Sequence, residues 1–285
     1  MLFTACGGEK KAAEEKKAEP LEIKVSYIFK ENEPTHIAMK EATDAINQRL
    51  EGQVKFLLFP NGQLPVYKDG LQQVVRGADF IDVDDLSYIG DYVPEFTALA
   101  GPMLYQSYDE YVKLMHSDLV TDLKKKAEEK GIKIISLDFI FGFRSIISDK
   151  EIKEPADLKG MKIRVPASKL FIDTLNVMGA SAVPMSFSET ISALQQNVID
   201  GLEGSYATNY LTKTYELRKN MSLTKHFLGT AGVYISTKVW DKLTDEQKAI
   251  IQEEFDKAAE NNNKNLVELD KELVKNLEDA GVKIN

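Results

Sequence analysis

The sequence predicts an α/β protein with two lobes, crossing connections between them and a long helix bridging both. Three observations predict it. From Leu21 onward short apolar strands alternate with helix-periodic stretches, and the strand-helix-strand pattern recurs between Asp157 and Asp200 with its own turn signals. A long helical pattern then begins at Thr244.

The elements follow in order. Ile23 to Ile28 alternates as a strand, and Thr35 to Leu50 carries Ile37, Ala38, Ala42, Ile46 and Leu50 at helical spacing. Val54 to Pro60 is a second strand closed by the turn signal Pro60-Asn61-Gly62, before a helix around Asp69 to Val75. Phe80 to Asp85 is a third, short strand that runs into acidic residues at its C-terminal end, where ligands sit in open α/β sheets. Tyr108 to Lys130 reads as one surface helix. The apolar strand Ile132 to Phe139 follows, with a crossover at Phe141 to Arg144. Lys159-Gly160, Met178-Gly179 and Asp200-Gly201 punctuate the repeat between Asp157 and Asp200, which predicts a second sheet, and Tyr234-Ile235-Ser236 rejoins the first. Thr244 caps the long helix, with Asp245 and Glu246 in its first turn and Ile250, Ile251, Phe255 and Ala258 along one face.

Composition narrows the class of function. A chain of 285 residues that is 43% hydrophobic can furnish two ordinary cores, and a net charge of −9 leaves no basic surface for nucleic acid or anionic lipid. No apolar run approaches the ~18 residues that span a bilayer. The single cysteine, Cys6, excludes an intrachain disulfide. It follows Leu2-Phe3-Thr4-Ala5 and precedes Gly7-Gly8, which resembles the end of a bacterial lipoprotein signal with Cys6 as the lipidated residue. The basic and apolar parts of such a signal do not precede it here, so a free thiol is the other reading. Glu9 to Pro20 has no apolar periodicity and reads as a tether.

The most informative stretch runs from Leu158 to Ser205. Arg164 lies near the end of the strand Met161 to Pro166, which Pro166 terminates because it has no N–H for the ladder. Ser168 stands where it can cap the helix over Lys169 to Val177, so a guanidinium and a helix N-terminus converge. That combination suits a carboxylate, and a salt bridge to a neighbouring acid is the alternative.

Phe59 to Leu64, Val93 to Phe96, Leu158 to Pro166, Met178 to Ala180, Pro184 to Glu189 and Gln195 to Glu203 occur in one order. Together they resemble the solute-binding proteins of tripartite ATP-independent periplasmic (TRAP) transporters, the C4-dicarboxylate-binding protein family, over nearly everything after the tether. The resemblance implies a periplasmic-binding-protein-like fold whose cleft closes over an organic acid. It implies an extracytoplasmic location, delivery to membrane permease subunits, and no catalysis. It maps a carboxylate clamp onto Arg164, a second arginine onto Arg144 and a pocket-wall aromatic onto Phe187. The family often has an asparagine where this chain has Gly204, a departure that removes one polar contact and leaves room.

Asp82, Asp84 and Asp85 would repel a second carboxylate and accept hydrogen bonds from hydroxyls, which predicts a monoacid sugar, a hexuronate or aldonate, as ligand. Asp84 and Asp85 are the contact candidates, with a solvated rim as the alternative. His36 follows the first strand and either faces the cleft or lies on a surface helix. Glu203 either meets the ligand or holds Arg164 in place. Sialic acid, a C4-dicarboxylate, or a sensor role with a membrane receptor are the other readings. An enzyme is disfavoured: His116 and His226 lack a metal or phosphate motif, and Ser205 lacks a nucleophile elbow and reads as a turn residue. No cofactor or metal is expected, and a monomer is. The division expected is 1–20 for lipoprotein-like start and tether, 21–141 with 230–269 for the first lobe, and 142–229 with 270–285 for the second.

Overall fold

The computed structural model describes residues 19–285, so Cys6 and most of the tether lie outside the described residues. Strand β1 (Leu21–Tyr27), helix α1 (Pro34–Arg49), β2 (Val54–Phe59), α2 (Tyr67–Arg76) and β3 (Phe80–Asp84) form two parallel crossover units, with β1 pairing in register to both β2 and β3. A short 3₁₀ helix (Leu86–Asp91) and α3 (Glu95–Leu99) lead to α4 (Tyr108–Met115) and α5 (Asp118–Glu129). The helix expected across Tyr108 to Lys130 is therefore two helices. Ser117 breaks it by taking a β backbone, and its hydroxyl accepts from Val120 N at 3.4 Å.

Two strands of 17 residues dominate the architecture: β4 (Ile132–Ser148) and β8 (Asn220–Ser236). Between them lie β5 (Lys162–Val165), α6 (Lys169–Val177), β6 (Ser181–Pro184), α7 (Phe187–Gln195), β7 (Gly201–Ser205) and α8 (Tyr206–Leu211). After β8 come α9 (Thr237–Trp240), α10 (Asp245–Asp279) and β9 (Lys283–Ile284). The sheet order is β2-β1-β3-β8-β4-β7-β5-β6, with β9 added to β8. Two expectations are corrected here. The strands of the second lobe are one end of a continuous sheet, because β7 pairs with β4 from Arg144 to Ser148. The crossover at Phe141 to Arg144 is likewise the middle of β4, where Gly142 at φ +105° accommodates one of several register shifts against β8.

As expected, Tyr234 and Ile235 rejoin the first lobe, opposite Asp82 and Ile81 of β3. Helix α10, 35 residues and about 52 Å long at 1.5 Å per residue, is capped by Thr244 with Gln247 in a capping box, and it packs on α1, β4 and α8. Ile251, Phe255, Ala258 and Ala259 bury against the β1–α1 core, while Leu266, Leu273 and Leu277 join the core beneath α4, α5, α7 and α8. Its one apolar stripe thus serves both lobes. No helix among the described residues is long and apolar enough to cross a membrane.

Candidate functional site

The C-terminal ends of β1, β3, β5 and β7 converge with the middle of β4 on a cavity of about 580 Å³, part of it open to solvent. Six of the residues singled out from sequence line it: Arg144, Arg164, Asp84, Asp85, Phe187 and Glu203.

Arg164 is 2% exposed. Its Nε and Nη2 donate to the Met185 carbonyl at 3.1 and 2.9 Å, and the guanidinium carbon lies 5.4 Å from the centre of the Phe187 ring. No carboxylate among the described residues pairs with it. A carbonyl and an aromatic face hold the group in place without cancelling its charge. Ser168 occupies the N-cap position of α6 as expected, but its hydroxyl makes no cap bond and donates to Ser87 Oγ across the cleft at 3.0 Å.

Arg144 is 7% exposed and differently placed. Its Nε and Nη2 donate to the two oxygens of Glu203 at 2.6 and 2.5 Å, with Phe171 and Phe141 rings 4.9 and 5.5 Å from its guanidinium. The expectation that Glu203 holds Arg164 is therefore corrected. On antiparallel β4 and β7, Glu203 faces Ile146, which shares a side of β4 with Arg144, whereas Arg164 is in register with Leu202, one residue and one face away. Burial raises the Glu203 pKa, but Arg144 and His226, whose Nε2 is 3.7 Å from Glu203 Oε2, outweigh it and bring it to about 2.

The acidic end of β3 splits by depth along the strand: Asp82 and Asp84 share a face, but only Asp84 and Asp85, at the C-terminal end, line the cavity. Asp82 is fully buried, neither carboxylate oxygen has a hydrogen-bond partner among the described residues, and a Cβ on Gly70 would sit 2.2 Å from its Oδ1. Burial, with Asp84 nearby, holds its pKa well above the ordinary value. It does not line the cavity. Asp84 Oδ2 accepts from Tyr67 N at 2.5 Å and Oδ1 from Asp85 N at 2.7 Å. Asp85 caps the following turn by accepting from Ser87 N at 2.8 Å. Burial pushes both up, Asp84 to about 8, against the pull of these N–H groups and of Arg144.

His36 does not face the cleft. It is 8% exposed, with Nδ1 3.0 Å from the Tyr27 hydroxyl and burial pulling its pKa down. Ser205 caps α8 by accepting from Thr208 N, in keeping with a turn role.

Sequence reasoning missed Tyr67, Tyr88, Glu33 and Thr208, which also line the cavity. Phe187 N donates to Tyr67 Oη at 3.2 Å and Thr208 Oγ1 to Glu33 Oε1 at 3.1 Å, so with Ser168 on Ser87 three hydrogen bonds cross between the lobes at this cavity. The exposed Asn32 to Leu211 bond, next to Glu33 in the chain, also joins the two lobes. Glu33 precedes Pro34, an N-terminus signal that marks its place before α1 but not its partner. Gly204 lines the cavity, and a Cβ there would approach nothing nearer than Asn209 Nδ2 at 3.6 Å, so the position does have room.

A buried cation with no carboxylate partner among the described residues, in a cleft between two lobes that are bonded across it, is the geometry of a small-solute receptor. The profile of the family described as bacterial extracellular solute-binding protein, family 7 matches residues 25–285, and the chain belongs to that family. It is a TRAP solute-binding protein, extracytoplasmic and not an enzyme, which works by binding a small solute as part of a transporter. A structure of a TRAP periplasmic solute-binding protein from Fusobacterium nucleatum with bound sn-glycerol-3-phosphate superposes with a TM-score of 0.92 at 49% identity, covering 94% of this chain and 86% of that one. One from Desulfovibrio salexigens in complex with diglycerolphosphate gives 0.92 at 52%, covering 93% and 86%. One from Actinobacillus succinogenes with bound L-galactonate gives 0.88 at 35%, covering 93% and 87%. Among curated relatives, the sialic acid-binding periplasmic protein SiaP of Vibrio cholerae is 30% identical over 246 residues, 86% of this chain and 76% of SiaP.

Proposed function

We propose that this chain captures a phosphorylated glycerol, as the monoester or a diester, and delivers it to the TRAP permease by closure of the two lobes. The observation that carries the reading is Arg164, a guanidinium 2% exposed, facing the cavity without a carboxylate partner. A phosphate offers oxygens to that fork and to the second arginine lining the cavity, Arg144. Carboxyl groups of Asp85 and Glu33 suit glycerol hydroxyls, and the two similar proteins near half identity are described with phosphorylated glycerol bound. The contact set of this reading is Arg164, Arg144, Phe187, Asp84, Asp85, Glu33 and Tyr67, with Glu203 orienting Arg144. Closure is a population shift toward the form in which Tyr67, Ser87 and Glu33 bond across the cleft.

A sugar acid is the second reading. The L-galactonate complex and the hydroxyl-accepting carboxyl groups favour it. Calorimetry with sn-glycerol-3-phosphate, a glycerol phosphodiester, L-galactonate, galacturonate, sialic acid and succinate tests the choice. Tight binding of the phosphates alone is expected; tight binding of a sugar acid with silence from both phosphates overturns the ligand and keeps the receptor. The division of the chain at 141/142, 229/230 and 269/270, a monomeric state and a lipid anchor through Cys6 belong to the same proposal. Mass spectrometry of Cys6 from cells carrying a full signal, expected to show a lipidated residue, tests the anchor.

A further inference from the structure

Four carboxyl groups line the cavity, those of Glu33, Asp84, Asp85 and Glu203, against two guanidiniums, Arg144 and Arg164. If all were ionised the lining would carry a charge of −2 before any ligand entered. Arg144 is already committed to Glu203 through two hydrogen bonds. Arg164 alone therefore faces three acids, and an incoming anion would add a fourth negative group in surroundings that screen charge poorly. A buried charge without compensation is expensive, and carboxyl groups relieve it by taking a proton.

We propose that the protein binds its anion with a proton on the adjacent Asp84–Asp85 pair, so that one of these residues meets the ligand as a neutral acid and sets which anions the cavity accepts. This rests on the reading of the cavity as an anion site.

The bonding around each acid singles out that pair. Glu203 is held ionised by Arg144. Burial raises Glu33 as well, but its oxygens are engaged by Lys30 N at 2.8 Å and, from the other lobe, by Thr208 Oγ1 at 3.1 Å, and the Lys30 charge favours its ionised form. Asp84 accepts only from backbone N–H groups, those of Tyr67 and Asp85. Asp85 accepts from Ser87 N through Oδ1, and the Ser87 hydroxyl also bonds its carboxyl group, a partner that a ligand oxygen can replace. A carboxylate there can accept from a hydroxyl; a carboxylic acid there can donate to an anionic oxygen, which two carboxylates facing an anion cannot do.

The surroundings act in the same direction. Beyond burial, negative charge on Glu203 of β7 raises Asp85, that on Asp85 raises Asp84, and that on Asp84 raises Asp82 on the same strand; of the buried tyrosines nearby, Tyr88 follows β3, Tyr234 on β8 donates to the Asp84 carbonyl and Tyr111 on α4 donates to the Leu137 carbonyl. Tyr67 packs against Asp84 from α2. Arg144, and Arg164 beyond Tyr67, are the opposing charges. Burial is the largest influence on both acids and favours the protonated form. The proton comes from solvent as the lobes close, and no bond other than the carboxyl O–H forms or breaks.

The test is calorimetric titration with a glycerol phosphodiester, which has no ionisation of its own near neutrality, in buffers of different ionisation enthalpy from about pH 5 to about pH 9. The expected result is uptake of about one proton in the upper part of that range, with Kd rising about tenfold per pH unit there. A flat Kd and no uptake overturn the proposal. Asp84→Asn combined with Asp85→Asn should abolish the slope; a slope that survives in the folded double variant places the proton elsewhere and overturns the assignment. If that variant does not fold, carbon-13 carboxyl spectra of the wild-type complex assign the proton instead. If the diester, sn-glycerol-3-phosphate and L-galactonate all fail to bind, the proposed function falls. The same spectra of the protein alone then decide the inference: an Asp84 or Asp85 carboxyl still protonated near about pH 7 upholds it, and two carboxyl groups that titrate near about 4 sink it.

Discussion

Arg144 and Arg164 line one cavity, both almost fully buried, and the difference between their settings explains the site. On the β4–β7 wall a bidentate ion pair, backed by His226, is complete within the protein. On the β5–α7 wall the guanidinium is held by a carbonyl and an aromatic ring, neither of which neutralises it. The first wall is a positioned scaffold and the second a retained charge. Burial alone does not make an arginine a ligand group; lack of a compensating acid does.

The largest effect expected from breaking this contrast is on the completed wall. Glu203→Ala leaves Arg144 buried without its partner and should destabilise the fold by about 3 to 5 kcal/mol, measured by denaturant unfolding. The pH profile carries the same signature with a definite sign. Because the folded pKa of Glu203, about 2, lies below the ordinary 4.5, its stabilisation is present above 4.5 and is lost as pH falls toward 2. Asp84 acts oppositely: with a folded value raised from 3.8 to about 8, its contribution is present below 3.8 and is lost as pH rises through 8. Acid and alkaline unfolding should therefore respond separately, the acid limb to Glu203→Ala and the alkaline limb to Asp84→Asn; a single shared shift would contradict the assignment.

Arg164→Ala should leave the far-ultraviolet spectrum unchanged and weaken anion binding by about 2 to 5 kcal/mol, roughly 30-fold or more in Kd by calorimetry. Unchanged affinity would remove the distinction between the two walls. Next in size, Gly70→Ala should cost about 1 to 3 kcal/mol of stability, because its Cβ would sit 2.2 Å from Asp82 Oδ1. Combining it with Asp82→Ala, which vacates that space, should recover part of the loss. The smallest effect belongs to the bonds across the cleft. Ser168→Ala removes one hydroxyl contact with Ser87 and should weaken binding by about 0.5 to 1.5 kcal/mol with little change in unfolding, since the bond forms only between the lobes.

Much of this site was legible in the chain because its carriers are local. The strand ended by Pro166 announces Arg164, and the strand Phe80 to Asp84 announces acids at a sheet's C-terminal edge. Period-2 and period-3.6 patterns placed α1, α6 and the start of α10 to within a few residues. Tyr67 and Thr208 escaped because what matters about them is a partner 120 or 175 residues away, for which periodicity carries no signal. His36 looked like a cleft residue by its place after β1, yet its ring turned inward to Tyr27. Glu203 was recognised as a support and matched to the wrong arginine, because the match depends on strand register.

The sequence by itself determined the α/β alternation, the bridging helix, the family and the presence of a cation poised near a helix start, since each rests on residue type and near-neighbour spacing. Tertiary structure alone decided that β4 and β8 make one sheet of both lobes and which arginine Glu203 neutralises. Those outcomes turn on strand register, and a shift of one residue exchanges the faces of a strand without changing its composition.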